Sequence, residues 1–335
     1  MTGPEARDPA AGASGADADA LAAPRELPRL TQRQRVLLIL KLLAVPLGVG
    51  LAVDWLLGSA EQQDRAANLW LILLSLAINR ATVAVAALRL KATLAAFAVH
   101  LPWSDAHRIH LQSMFYYVVV PMQVGLEISR FFKVRAVAIG VTTPRLLLAL
   151  LADRAVGMSA AVGIALATLP FVTLRAERGI ALDRDALLVA GAIAAAGCAA
   201  ALAVPRIRRL LLRIWEATAG RRGFLLASGL LSIVIMLGWT GAIYVATLGL
   251  GIETAPVAFL FGSMAGVLGT VVPLSLIGAG PGEAAAVAAF VLLGVEQQAA
   301  VVIALVGYLA KLVTAIEGGV WEIAGDARRM IAGRR

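Results

Sequence analysis

The 335-residue chain has one cysteine and three histidines, and only 15% of its residues are charged. The lone Cys198 sits in an apolar run, which excludes a disulfide framework and carries no redox signal. No Walker-type phosphate loop, GxSxG elbow or HExxH pair is present, and no polar stretch is long enough to build a soluble domain for ATP or an activated donor. His107 and His110, three apart in "DAHRIH" with Asp105 nearby, bring too few ligands together for a metal site. These absences remove most soluble enzyme classes, and neither a metal nor a cofactor is expected.

What fills the sequence instead is hydrocarbon. Hydrophobic residues make up 60% of the chain, far above a soluble domain, and several runs approach the ~20 residues that cross a bilayer core. The net charge of +9 is unlike a nucleic-acid module, because the arginines flank apolar runs and do not cluster in one soluble unit. The expected fold is an all-α polytopic membrane protein. Residues 1–30 read as a disordered tail without the apolar core of a signal peptide, and 31–335 as a membrane domain.

Six spans are expected, at 36–57, 67–88, 146–173, 186–204, 224–248 and 299–322. Arg25, Arg29, Arg33 and Arg35 place the N-terminus in the cytoplasm. Arg89, Lys91 and Arg108 bring the chain back inside, as do the six arginines of 205–223 and the four after 322. Trp55, Trp70, Trp103 and Trp321 suit interfacial anchoring. Both termini are therefore expected on the cytoplasmic side of the cell membrane. Two further apolar stretches, 109–136 and 256–296, are each broken by a Pro/Gly/Glu motif and have like-charged ends. Both are expected to be re-entrant hairpins, entering from opposite sides. Each half then reads span, span, hairpin, span (about 36–173 and 186–322), with Pro121 and Pro273 152 residues apart. This is the inverted-topology plan of many transporters, whose broken helices meet at the midplane.

Broken backbone in lipid must face protein or a polar cavity, since hydrocarbon satisfies no peptide group. Turns are expected at Pro121 and Gly125, and at Pro273, Gly278, Gly280 and Gly282, with Gln123 and Ser275 as polar residues beside them. The short arm starting near Glu283 should aim helix N-terminal amides at the cavity, a favourable seat for an anion. Charges follow in register: Arg154 comes 27 residues after Glu127, and Lys311 comes 28 after Glu283. Such charges mark either a ligand path or internal ion pairs. Arg130 is placed to pair with Glu127 on one helical face, and Asp153 to offset Arg154. Arg80 is read as facing a cavity or snorkelling to the interface.

At these residues the chain resembles the lysylphosphatidylglycerol synthase transmembrane region, a flippase-like family. The resemblance rests on Pro121, Gly125, Glu127 and Arg130, on the pair Asp153–Arg154, and on Pro273, Gly278, Gly280 and Glu283. Pro281 interrupts the glycine turn, and Lys311 stands where the family often has arginine. The resemblance implies lipid translocation, and the synthase domain is absent. Glu127, Arg130, Arg154, Glu283 and Lys311 then become candidate binders of an anionic phospholipid. Their cations would meet phosphate, and the carboxylates a cationic headgroup or protons. A small-solute secondary transporter and an accessory subunit of a lipid-modifying enzyme are the alternatives. The oligomeric state stays open.

Overall fold

The computed structural model describes residues 68–120, 124–176, 204–271 and 280–332. The expected span 36–57, nearly all of 186–204, and Pro121, Gln123, Pro273, Ser275 and Gly278 lie outside the described residues. Every regular element among those described is a helix. In chain order these are α1 (Leu69–Ala96), α2 (Trp103–Val119), α3 (Val124–Val137), α4 (Thr143–Ala176), α5 (Pro205–Ala217), α6 (Arg222–Gly249), α7 (Pro256–Gly269), α8 (Pro281–Leu292) and α9 (Gln297–Ala332).

Length separates two kinds of helix. Four stretches, Leu69–Ala96, Thr143–Val172, Arg222–Gly249 and Gln297–Gly325, are long and apolar enough to cross a membrane. At 1.5 Å per residue each exceeds the ~30 Å hydrocarbon core. Their outer faces are greasy: Trp70, Leu226, Leu230, Val320 and Ile323 are exposed. Together they would make an apolar surface no monomeric soluble protein tolerates. By contrast α3, α7 and α8, at 14, 14 and 12 residues, reach only about 18–21 Å.

The short helices come in antiparallel pairs. In the first, α2 folds back on α3, so that His110 faces Arg130 while Gly125 lies against the Tyr116 carbonyl. In the second, Gly262 faces Phe290, Gly266 faces Ala286, and Gly269 faces Ala285 and the Pro281 carbonyl. A Cβ on Gly269 would come within 2.7 Å of both neighbours, so this pair is closed by small residues that let two backbones touch. The sequence reading assigned glycine here to turning and ligand approach. For Gly282 the structure gives helix contact as the reason, since a Cβ there would meet Thr270 Cγ2 at 2.8 Å and the Gly266 carbonyl at 3.0 Å.

α1 and α6 form the central antiparallel pair. Asn68 N–H donates to the Gly249 carbonyl at one end, Thr82 packs on Gly238 midway, and Thr93 meets Ser228 at the other end. Hydroxyl and small side chains line this seam, and many satisfy themselves on their own helix: Thr82 on the Ile78 carbonyl, Ser232 on that of Ser228. The hairpins are exchanged between the halves. α2 lies along α9, with Leu111 against Gly318 and Phe115 against Gly319. α7 lies along α4, with Met264 against Ala161 and Val257 near Val172.

One buried knot ties five helices. The Asp153 carboxylate of α4 accepts from Arg89 of α1 (2.8 Å), Arg130 of α3 (3.2 Å) and Thr93 of α1 (3.2 Å). Arg130 also donates to His110 Nδ1 on α2 at 2.9 Å. Arg89 reaches Ser232 on α6 at 3.5 Å. Three expectations are corrected here. Arg130 pairs with Asp153 and not with Glu127, because its side chain runs inward between α2 and α4. Asp153 bridges Arg89 and Arg130 and does not simply offset Arg154. Arg89, taken as a flanking loop residue, lies inside α1, which continues to Ala96.

Two outcomes test this account. Asp153→Asn leaves two buried guanidinium groups short of a counter-charge, and should destabilise the protein by about 3–5 kcal/mol. A thermal midpoint in detergent that matches wild type would refute it. Gly269→Val should likewise lower the midpoint by forcing α7 and α8 apart, whereas Gly163→Val, at a helix position with open space, should not.

Candidate functional site

Each half sets a carboxylate in the first turn of a short helix against a cation well inside a long one. In the first half, Glu127 lies in the opening turn of α3 and Arg154 lies on α4, with Oε1 and Nη1 3.7 Å apart. These side chains remain 27% and 38% exposed, and at 3.7 Å the pair is a loose one. Arg154 also donates to the Thr270 carbonyl at 3.4 Å, at the end of α7 and hence in the other half.

In the second half, Glu283 sits in the first turn of α8. The Gly280 N–H donates to its Oε2 at 2.8 Å, and Lys311 Nζ of α9 donates to its Oε1 at 2.5 Å. Lys311 is midway between Gln297 and Gly325, the deepest position that span offers. Its ammonium also lies 5.4 Å from the Trp239 ring centroid on α6, within cation–π range. At this helix N-terminus, where an anion seat was expected, the Glu283 carboxylate itself caps the helix by accepting from the Gly280 N–H. Pro281, a departure from the family pattern, takes the first helical position, where a missing N–H costs nothing.

The two pairs belong to one region. Thr270, which accepts from Arg154, packs against Gly282, the neighbour of Glu283. From the other side, Tyr117, Val118 and Leu126 of the first hairpin pack on Leu309, Leu312 and Ala315 of α9, around Lys311. Thus the end of each hairpin meets the middle of the opposite long helix, with a cation at each meeting point: Lys311, largely buried, and Arg154, partly exposed.

Arg130 is not part of this region in its present contacts. It is 4% exposed and engaged by Asp153 and His110. Arg80 forms a bidentate pair with Glu317 of α9. Nearby, Glu322 accepts from Lys133 (2.6 Å) and from the Tyr116 hydroxyl (2.9 Å). Glu317, Glu322 and Trp239 escaped the sequence reading. A charge balance would have found the first, because Arg80 in an apolar helix requires an acid on a neighbour. His107 stacks on Trp103 at 5.0 Å, and among the described residues no three ligating groups come together for a metal.

No curated protein and no solved structure matches the chain. The family described as "Lysylphosphatidylglycerol synthase TM region" matches residues 38–318, most of the chain and all four residues of the two ion pairs. The match is to the membrane region of such synthases, which is distinct from their catalytic domain. With both signature carboxylates placed beside their cations at the broken helix ends, the chain belongs to this flippase-like family of non-catalytic membrane proteins.

Proposed function

We propose that the protein translocates an anionic phospholipid or lipid-linked headgroup across the membrane, with the paired charges as its polar way-stations. The observation that carries this is the repetition of one device: Glu127–Arg154 and Glu283–Lys311, each at a broken helix end and each deep in a span. An ion pair in hydrocarbon is costly to assemble and adds little stability by itself. A lipid phosphate that replaces a carboxylate on Arg154 or Lys311 keeps that cation paired, and the site's net charge is restored when the displaced carboxylate takes up a proton or pairs with a headgroup amine, so headgroup and carboxylate can exchange. Arg154 offers a planar fork to phosphate and Lys311 a point charge. Glu127 and Glu283 hold these cations in place between passages, and can receive an amine or a proton while displaced. Gln123 and Ser275 remain proposed polar neighbours of the two breaks, and Arg130 serves by positioning α3.

The membrane arrangement belongs to the same proposal: six spans, counting 36–57 and 186–204, and two half-depth hairpins in inverted halves, with both termini cytoplasmic. Three features support it. α1 and α6, which begin the equivalent described parts of the two halves, run antiparallel. The short helices pair without the length to cross. Arginine is concentrated at one end of the molecule, around 205–223, whereas the connections at the other end carry Glu253 and Glu296.

Two experiments test the proposal. In vesicles holding the purified protein, movement of a fluorescent anionic phospholipid between leaflets should fall on the order of tenfold in Glu127→Gln and in Glu283→Gln, a loss of roughly 1.4 kcal/mol in barrier stabilisation. Wild-type rates in both variants, or uptake of a small solute with no lipid movement, would reject it. For topology, single cysteines placed at Gly251 and Gly220 of a Cys198→Ser protein should react oppositely with an impermeant maleimide. The first should label from outside intact cells and the second only after permeabilisation; the reverse pattern would reject the orientation.

A further inference from the structure

The helix α5 has no place in the translocation reading, yet its sequence, "PRIRRLLLRIWEA", is the most strongly two-faced among the described helices. Leu210 and Ile214 form one edge of its apolar stripe. They pack into the cluster of Leu94, Phe97, Val134 and Leu146, where the ends of α1, α3 and α4 converge. The other edge is bare. Ile207, Leu211 and Trp215, at helical spacing, are 37%, 38% and 51% exposed. Turned away from that stripe are Arg206, Arg209 and Arg213, all exposed, and Arg208 borders it on the far side. Beyond the helix, Arg221 and Arg222 are also exposed, and the Arg222 guanidinium lies 3.8 Å over the Trp215 ring. Glu216 is the only acid in this segment.

Position decides what covers the bare edge. α6, one of the four long apolar helices, starts at Arg222, five residues after α5 ends. A helix so close to the mouth of a span lies at the membrane surface. There a half-exposed apolar stripe can enter the acyl boundary while arginines above it meet headgroup phosphates. Tryptophan under a guanidinium suits the same depth, since its ring is amphipathic. A soluble partner would leave six arginines facing neighbouring lipid headgroups without making use of them, whereas an anionic leaflet complements all of them at once. We infer that α5 is an interfacial helix that binds anionic phospholipid at the arginine-bearing face of the membrane, through Arg206, Arg209 and Arg213 and the inserted edge Ile207–Leu211–Trp215. This surface is separate from the Glu127 and Glu283 pairs and does not depend on the translocation proposal.

The test uses the full chain in vesicles of phosphatidylcholine with either brominated phosphatidylcholine or brominated phosphatidylglycerol, because bromine quenches tryptophan at short range. Subtracting the emission of Trp215→Phe isolates Trp215. The expected result is quenching by both lipids, at least about twofold stronger with phosphatidylglycerol, since each arginine near an anionic surface contributes roughly fivefold in affinity. Replacing Arg206, Arg209 and Arg213 together by glutamine should remove that preference, and replacing them by lysine should keep it, which separates charge from a folding defect. Equal quenching by the two lipids would overturn the anionic selectivity. Quenching of Trp215 by aqueous iodide alone would place the helix in water. Protection from lipid and iodide alike would mean that a protein or a second copy covers it. Either of these last two results overturns the inference.

Discussion

A charge carried into hydrocarbon must find its counter-charge within the protein, and nearly every polar contact between the helices of this molecule answers to that rule. The strictest case is the Asp153 knot. Two guanidinium groups share one carboxylate, with a histidine nitrogen and two hydroxyls taking up further hydrogen-bonding positions. Because the contributing side chains come from α1, α2, α3, α4 and α6, the knot fixes how these helices approach one another. Dispersion packing alone would leave such smooth apolar surfaces free to slide.

The rule is met differently in the two halves. The first half buries its charges in this many-membered network and keeps its site pair, Glu127–Arg154, open. The second half sets the close pair Glu283–Lys311 between its own helices, lends Glu317 and Glu322 to Arg80 and Lys133 of the first, and builds its hairpin from glycine against alanine. One hairpin is therefore held by directed bonds that must break together. The other is held by close backbone contact, which is short-ranged but permits small shifts without orphaning a charge. The two hairpins are therefore fastened unequally.

The sequence makes the membrane character plain, and with it the four long helices, both breaks and both carboxylate–cation registers. These features depend on composition and on spacing along one chain, which hydropathy and the cost of buried charge expose directly. Contacts between distant helices were harder to read. Glu127 and Arg130 share a helix and were matched by proximity, yet Arg130 finds Asp153 because the hairpin turns its side chain inward. Arg89 was counted as a topological flag and proved to be a bonded member of α1. The glycines near 280 carried two meanings, turning and touching, and only the positions of Thr270 and Ala285 distinguish them. Trp239 is unremarkable in an apolar run until Lys311 arrives beneath it from 72 residues away.

The exchange of hairpins across the central pair carries a mechanical consequence. Since α2 rests on α9 and α7 on α4, neither half owns the scaffold on which its own hairpin leans. A tilt of α4 displaces α7 and, through Arg154, the peptide at Thr270; a tilt of α9 displaces α2 and the aromatic packing at Tyr117. The two hairpins are thus geared together like interlocked fingers, so that a shift of either long helix is shared by both.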